Sequence, residues 1–232
     1  MTITVITGAN KGLGYETARR LIERGHTVYA GARDVARGEQ AAADLGARPL
    51  LIDVTDEASV RAAAQTVRAE AGHVDLLVNN AGITGRLTTP AEPEADVMRR
   101  VYETNVFGAV RTIHAFLPML SKPGAAVVNV SSGLGSITVA ADPTLRASVP
   151  GWAPFPAYAS SKAALNMLTV LYAQTFPNLA FRAVDPGYTA TDLNGHRGYR
   201  TVEEGARAII EAVLDERATG SQFAGADGDL PW

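Results

Sequence analysis

The chain has 232 residues, no cysteine, and 21 Lys and Arg against 24 Asp and Glu, for a formal net charge of −3. That length suits one domain with a core several layers deep, and the missing cysteines exclude disulfide frameworks, thiol nucleophiles and cysteine-held metals. A near-balanced charge without a basic run argues against nucleic acid or an anionic lipid surface as partner.

Taken in chain order, residues 1–10 form a short apolar run that meets Gly8 almost at once. It has no basic start and no long hydrophobic stretch, so it reads as neither signal peptide nor membrane span, and the first strand is expected at Ile3–Thr7. A cytoplasmic protein acting on a small molecule is the expectation. Further apolar runs fall at Thr27–Gly31, Arg48–Asp53, Asp75–Asn80, Ala125–Ser131 and Ala180–Asp185, with a weaker one near Gln222 and Phe223. Between them lie segments of helical period: Leu13–Arg24, Ala36–Leu45, Glu57–Ala71, Ala95–Leu120, Ala157–Phe176 and Val202–Leu214. Strands alternating with crossover helices predict an α/β fold, a Rossmann-type doubly wound parallel sheet of about seven strands with helices on both faces. No repeat or low-complexity tract divides the chain, so residues 1–232 are expected to form a single domain. The longest irregular stretch is Asp142–Pro156, where Asp142-Pro143 reads as a helix start.

The first strand runs into Thr7-Gly8-Ala9-Asn10-Lys11-Gly12-Leu13-Gly14 and a helix. Gly8 permits a tight turn, Gly12 lets backbone approach a diphosphate, and Gly14 lets the helix lie close on the sheet, with helix N–H groups aimed at the anion. The alternative is a purely conformational glycine turn. Further on, Asp53 closes the third strand and equally suits a helix cap, although Thr55 or Asp56 fits that role better. Tyr158-Ala-Ser-Ser-Lys162 places Tyr158 and Lys162 on one helix face, toward the carboxyl ends of the strands where open α/β sheets bind ligands. Alone, that spacing is more often an ordinary amphipathic helix. Its company changes the balance: Val127–Ser132 is a strand ending in hydroxyls, and Asn105 lies upstream.

Together the glycine loop, Asn79-Asn80-Ala81-Gly82, the Asn105, Ser132, Tyr158 and Lys162 set, and Asp185-Pro186-Gly187-Tyr188-Thr189-Ala190-Thr191 resemble the short-chain dehydrogenase/reductase family, in its carbonyl-reductase-like branch. The resemblance spans essentially the whole chain. It implies a nicotinamide cofactor held by Gly8, Asn10, Lys11, Gly12, Leu13 and Gly14 at the diphosphate, and by Asp53, Val54, Asn80, Ala81 and Gly82 around the adenosine. Pro186, Gly187, Thr189 and Thr191 are implied near the nicotinamide and diphosphate, as are Tyr158 and Lys162. At the end of the second strand the family's acidic discriminator would fall at Ala32; with Arg33 beside it and Lys11 in the loop, NADP(H) is expected over NAD(H). Alternatively, Arg33 is a solvated surface charge.

The resemblance also implies a catalytic tetrad. Tyr158 is the acid that protonates a carbonyl oxygen; Lys162 brings the phenol's pKa down from about 10 and bonds the nicotinamide ribose; Ser132 stabilises the substrate oxygen; Asn105 anchors a water leading to Lys162. Ser131 and Ser132 as strand caps, and Asn105 satisfying helix backbone, are the structural alternatives. NADPH-dependent reduction of a ketone or aldehyde is therefore expected, with an imine or enone reductase, or a cofactor-binding redox regulator, as other readings. No metal is expected. Two departures stand out: the 26 positions from Ser132 to Tyr158, and the short segment between Thr191 and Thr201 where relatives often carry a lid. The short segment points to an open pocket lined partly by Leu134, Trp152, Phe155 and Tyr188, unless Trp152 and Phe155 merely pack the insertion; the insertion itself, as in the resembled branch, would cover helices that otherwise form a dimer interface. Monomer and homodimer both remain open, and His196 reads as a solvated loop residue.

Overall fold

The computed structural model describes residues 2–91, 95–120, 122, 124–149, 151–214 and 220–232. Its strands are β1 (Thr2–Ile6), β2 (His26–Ala32), β3 (Arg48–Leu51), β4 (Leu76–Asn79), β5 (Ala126–Val130), β6 (Ala180–Asp185), β7 (Gly220–Gly225) and β8 (Gly228–Asp229), hydrogen-bonded in the order β3-β2-β1-β4-β5-β6-β7-β8. All neighbours are parallel except β7 and β8. The order reverses at β1, so the crevice between β1 and β4, above the strands' carboxyl ends, is the topological switch point where such sheets take ligands.

Because side chains alternate across a strand, consecutive apolar residues serve two cores. Val5, Leu77, Val127 and Phe181 join one cluster with Val67, Ile113 and Phe116. Their neighbours Ile6, Val78, Val128 and Ala180 join another with Leu21, Ala42 and Ile209. Burial on both faces explains why these strands read as continuous apolar runs.

The helices are α1 (Gly12–Ile22), α2 (Val35–Leu45), α3 (Glu57–Ala71), α4 (Ala95–Tyr102), α5 (Gly108–Phe116), α6 (Ile137–Ala141), α7 (Pro143–Ser148), α8 (Pro156–Thr175) and α9 (Val202–Leu214). Asp34 and Asp56 cap α2 and α3 by accepting the backbone N–H of Arg37 and Ala58, both at 2.9 Å, so the cap role considered for Asp53 belongs to Asp56. The single helix expected over Ala95–Leu120 is corrected: a π turn, Glu103–Phe107, separates α4 from α5, and a 3-10 turn, Leu117–Met119, ends the run. The π turn carries Asn105, whose amide bonds to a distant loop, a constraint helical periodicity does not register.

Two small elements were not foreseen, β8 and α6. Asp142 caps α7 as expected, accepting from Thr144 N at 2.7 Å. The last residues of the chain hold the insertion: Ser136 Oγ donates to Pro231 O at 2.7 Å, Thr138 Oγ1 to Trp232 O at 2.7 Å, and Trp232 stacks on Phe223. Among the described residues no helix is long and apolar enough to cross a membrane.

Candidate active site

The turn between β1 and α1 takes positive φ at Gly8 (66°) and Gly12 (56°), a region that costs most side chains about 1–2 kcal/mol. Gly14 has a packing reason instead: a Cβ there would lie 2.4 Å from Gly8 O and 2.5 Å from Asn80 Nδ2. Asn80 locks the same turn, donating to Thr7 O at 2.9 Å and Gly8 O at 3.0 Å. Thr7 Oγ1 in turn accepts the Asn80 and Ala81 N–H groups. The mouth is built for an anion. Lys11, the N-cap of α1, makes no capping bond with its side chain, and the first turn holds no acidic residue, so the helix N–H groups are free to meet negative charge. A Cβ on Gly12 would meet only Thr191, at 3.7 Å, which leaves the floor of the groove open to a ligand.

Lys11 and Arg33 do not share a fate. Lys11 Nζ is engaged by Asp192 at 2.6 Å, across the groove mouth, while Asp192 also accepts from or pairs with His196 at 2.8 Å. Half-exposed and salt-screened, the Lys11–Asp192 pair is worth roughly 0–1 kcal/mol. Arg33 is exposed and makes no ion pair or hydrogen bond with the described residues. Ala32 is buried, so the tip of β2 offers no carboxylate at the expected discriminator position. Asp53 Oδ1 accepts from Thr55 N and Oγ1, and Asp53 N donates to Ser59 Oγ. Val54 is buried against Gly108.

At the end of β5 two serines divide the work. Ser131 is buried and donates to Asn166 Oδ1 at 2.5 Å, a structural tie. Ser132 remains partly accessible, caps the 3-10 turn Gly133–Gly135 through Leu134 N, and is the hydrogen-bonding neighbour of the Tyr158 phenol. Tyr158 and Lys162 face the same crevice from the first turns of α8; Lys162 Nζ lies 5.6 Å from the Tyr158 ring centroid. Lys162 is buried and donates to Val130 O at 2.8 Å, which aims the ammonium along the strand end. Asn105 Oδ1 accepts from Ile83 N at 2.9 Å, and its Nδ2 donates to Ile83 O at 2.9 Å and to Ser161 Oγ at 3.0 Å. The Asn105 side chain thus ties the π turn to the Ile83 loop and to α8, and Ser161 completes the link by donating to Tyr158 O. A Cβ on Gly82 would stand 3.4 Å from Asn105 Oδ1 and 3.6 Å from Lys162 Nζ; the glycine keeps the space between them open.

Tyr158 keeps a little accessible surface, yet enough protein surrounds it for desolvation to dominate. Burial pushes its pKa up, the charge of Asp185 adds to that, and Ser132 opposes it. Burial brings Lys162 down from its ordinary 10.5 to about 8, with Asp185 opposing. Asp185, at the end of β6, has its own carboxyl raised, by burial first. It is the one titratable member of this cluster to which sequence reasoning gave no role; its place directly before Pro186-Gly187 was the available signal.

The segment after β6 is short and closed on itself. Ala190 N donates to Arg200 O at 2.9 Å and Arg200 N to Tyr188 O at 3.2 Å, while Asn194 Nδ2 donates to Thr189 O. Thr189 is buried, its hydroxyl turned to Pro186 O. Of the expected pocket residues, Tyr188 lies against Gly151 of the insertion, with a Cβ there 3.4 Å from its ring, and against Tyr199. Trp152 carries the Arg146 guanidinium over its ring at 5.3 Å, so much of its surface is spent inside the insertion. Phe155 precedes α8 as its N-cap residue, and Leu134 sits in the turn after Ser132.

Residues 2–200 match the short chain dehydrogenase family. The short-chain dehydrogenase anuI of Penicillium roqueforti is 36% identical over 92% of this chain and 88% of its own length, and the (+)-neomenthol dehydrogenase of Arabidopsis thaliana is 30% identical over 90% of each. Among solved structures, NADPH-bound carbonyl reductase from chicken fatty liver superposes with a TM-score of 0.84 at 29% identity, covering 100% of both chains. A short-chain dehydrogenase/reductase from Burkholderia multivorans with bound NADP gives 0.85 at 26% identity, over 100% of this chain and 99% of that one. The chain belongs to the short-chain dehydrogenase family, a family of nicotinamide-dependent oxidoreductases.

Proposed function

We propose that this protein reduces a ketone or aldehyde to an alcohol with NADPH. The observation that carries this reading is the convergence of Ser132, Tyr158 and Lys162 at the carboxyl end of β5, beside a groove built for an anion. When bound, the reduced cofactor supplies the hydride. The chain supplies the rest. Gly8, Gly12 and the N-terminus of α1 receive the diphosphate, and Lys162, with a single acceptor, Val130 O, among the described residues, keeps ammonium protons for the nicotinamide ribose. Ser132 donates to the carbonyl oxygen and holds it beside Tyr158, whose O–H provides the proton as negative charge builds there. The positive charge of Lys162 stabilises the phenolate left behind, offsetting burial, which acts against it.

Preference for NADPH is supported by the lack of a carboxylate at Ala32 and by Arg33 next to it, exposed and without a partner among the described residues, a guanidinium suited to a 2′-phosphate. The NADPH-bound carbonyl reductase and the NADP-bound Burkholderia protein among its relatives are in keeping with that preference. The partly exposed aromatic residues Tyr188 and Phe155, expected to line the substrate pocket, favour an apolar carbonyl compound. The test is cofactor consumption, NADPH against NADH, over a panel of aliphatic and aromatic ketones, aldehydes, quinones and imines. The proposal expects turnover of carbonyls with NADPH preferred; cofactor binding without turnover of any compound would contradict it.

A further inference from the structure

We infer that Asn166 is a positioning residue for the reaction: one turn beyond Lys162 on α8, its amide grips the chain on both sides of Ser132 and so sets where the Ser132 hydroxyl stands relative to Tyr158 and Lys162. The inference rests on the reading of Ser132 as donor to the carbonyl oxygen and of Tyr158 as the acid, and adds to it a residue that acts through Ser132.

The placement follows from the helix face. Tyr158, Lys162 and Asn166 follow one another a turn apart on α8, so they project on one side, and each meets the end of β5 at a different step. Lys162 Nζ donates to Val130 O at 2.8 Å. Asn166 Oδ1 accepts from Ser131 Oγ at 2.5 Å, and Asn166 Nδ2 donates to Gly135 O at 3.2 Å. Ser132, between those two contacts, is the hydrogen-bonding neighbour of the Tyr158 phenol. The turn Gly133–Gly135 lies directly on the helix here: a Cβ on Gly135 would stand 2.7 Å from the Lys162 carbonyl carbon and 2.8 Å from Lys162 Cβ. Inside the turn, Gly135 N donates to Ser132 O at 2.8 Å and Leu134 N to Ser132 Oγ at 3.3 Å, so a shift at Gly135 is passed back to Ser132 through these two bonds.

An asparagine suits this place chemically. Asn166, Ser131 and Gly135 are all buried, where a polar group left without a partner is costly. The site asks for an acceptor toward the Ser131 O–H and a donor toward the Gly135 carbonyl, and one side-chain amide offers both. A leucine of similar size offers neither; an ionised aspartate accepts from Ser131 but has no proton for Gly135 O. With the Ser131 hydroxyl held inside by Asn166, Ser132 is the hydroxyl of the pair that keeps accessible surface. A reacting group misplaced by about 1 Å loses roughly 10² in rate, so a hold on both sides of Ser132 is felt in kcat.

The experiment is a double-mutant cycle on carbonyl reduction with wild type, Asn166→Leu, Ser132→Ala and the double variant, with NADPH affinity measured on each. Asn166→Leu is expected to lower kcat by about 10–100-fold with NADPH affinity unchanged, and to lower the residual kcat no further when residue 132 is already Ala. A merely structural role lowers kcat by the same factor in both backgrounds; that result overturns the inference, as does an unchanged kcat in Asn166→Leu. Hydrogen exchange of the Leu134, Gly135 and Ser136 amides reads the hold without turnover. Faster exchange there in Asn166→Leu, with the amides of β1 as in wild type, is expected; unchanged exchange overturns the inference whether or not any carbonyl is reduced, so failure of the reductase reading is seen separately. If Asn166→Leu does not fold, Asn166→Asp takes its place in the same cycle. Its neutral carboxyl can donate to Gly135 O and its ionised form cannot, so its deficit in kcat against wild type is expected to grow as pH rises and to vanish in the Ser132→Ala background; a deficit equal in both backgrounds overturns the inference too.

Discussion

The Lys162 ammonium lies 5.6 Å from the centroid of the Tyr158 ring, one helical turn along α8. Among the described residues the ammonium makes its hydrogen bond to Val130 O and none to the phenol, so the cation acts on Tyr158 through its field. Replacing Lys162 by Ala removes both the field and the proposed ribose donor. The expected outcome is a fall in kcat/KM of about 10²–10⁴ together with weaker NADPH binding, read by steady-state kinetics and by quenching of protein fluorescence on titration with NADPH. Loss of turnover with unaltered NADPH affinity would remove the ribose role.

Burial of the same ammonium predicts two pH dependences of opposite sense. Lys162 titrates at about 8 in the folded protein and at 10.5 when unfolded. Above about 8 the lysine is neutral, and reductase activity should decline as pH rises through that value. Stability moves the other way: between about 8 and 10.5 the unfolded chain binds more protons than the folded one, so stability rises with pH across this window, and below it the buried charge carries a constant cost. Urea midpoints of wild type and Lys162→Met should therefore differ most below pH 8 and converge toward pH 10, with a change of about 3 kcal/mol in their difference.

The proposed NADPH preference is expected to depend on Arg33 more than on Lys11. Arg33→Ala is expected to lower kcat/KM for NADPH by roughly tenfold or more, a loss on the scale of a charge-assisted hydrogen bond, and to leave NADH almost unchanged. Lys11→Ala should do less, because Asp192 already holds Lys11. Asp192→Asn frees that ammonium and should tighten NADPH modestly. Ratios of kcat/KM for the two cofactors, measured at low and high salt, check all three.

The glycine turn and α1 pack too closely to admit a side chain at Gly14. Gly14→Ala places a methyl group 2.4 Å from Gly8 O and 2.5 Å from Asn80 Nδ2, and neither backbone nor the doubly bonded Asn80 amide yields cheaply. The variant should lose about 1–3 kcal/mol of stability, seen as a lower Tm, and most of its NADPH affinity.

Much of this architecture was legible in the residues. Helices Glu57–Ala71 and Val202–Leu214 begin and end where their periodicity and caps place them, and β6 occupies Ala180–Asp185 as its apolar run indicates. Local signals fail where a distant partner decides. The π turn at Asn105 exists through bonds to Ile83, 22 residues away in sequence. Helix α6, five residues long, is held by carbonyls of Pro231 and Trp232. Lys11 looked free to join Arg33 because nothing in the glycine loop announces Asp192, 181 positions later. Asp185 read as an ordinary strand end; only the β5–β6 register reveals that its carboxyl stands beside Gly133.

The central claim is that Tyr158 is the proton donor, and the most direct measurement compares Tyr158→Phe with wild type in NADPH-dependent reduction of a carbonyl substrate, with NADPH affinity determined independently on the same preparations. Removing one hydroxyl leaves the ring that packs at the crevice and leaves Lys162 in place. The account predicts unchanged folding, NADPH affinity within a few-fold of wild type, and reductase turnover reduced by about 10³ or more. Turnover within tenfold of wild type, with the cofactor bound normally, would contradict it.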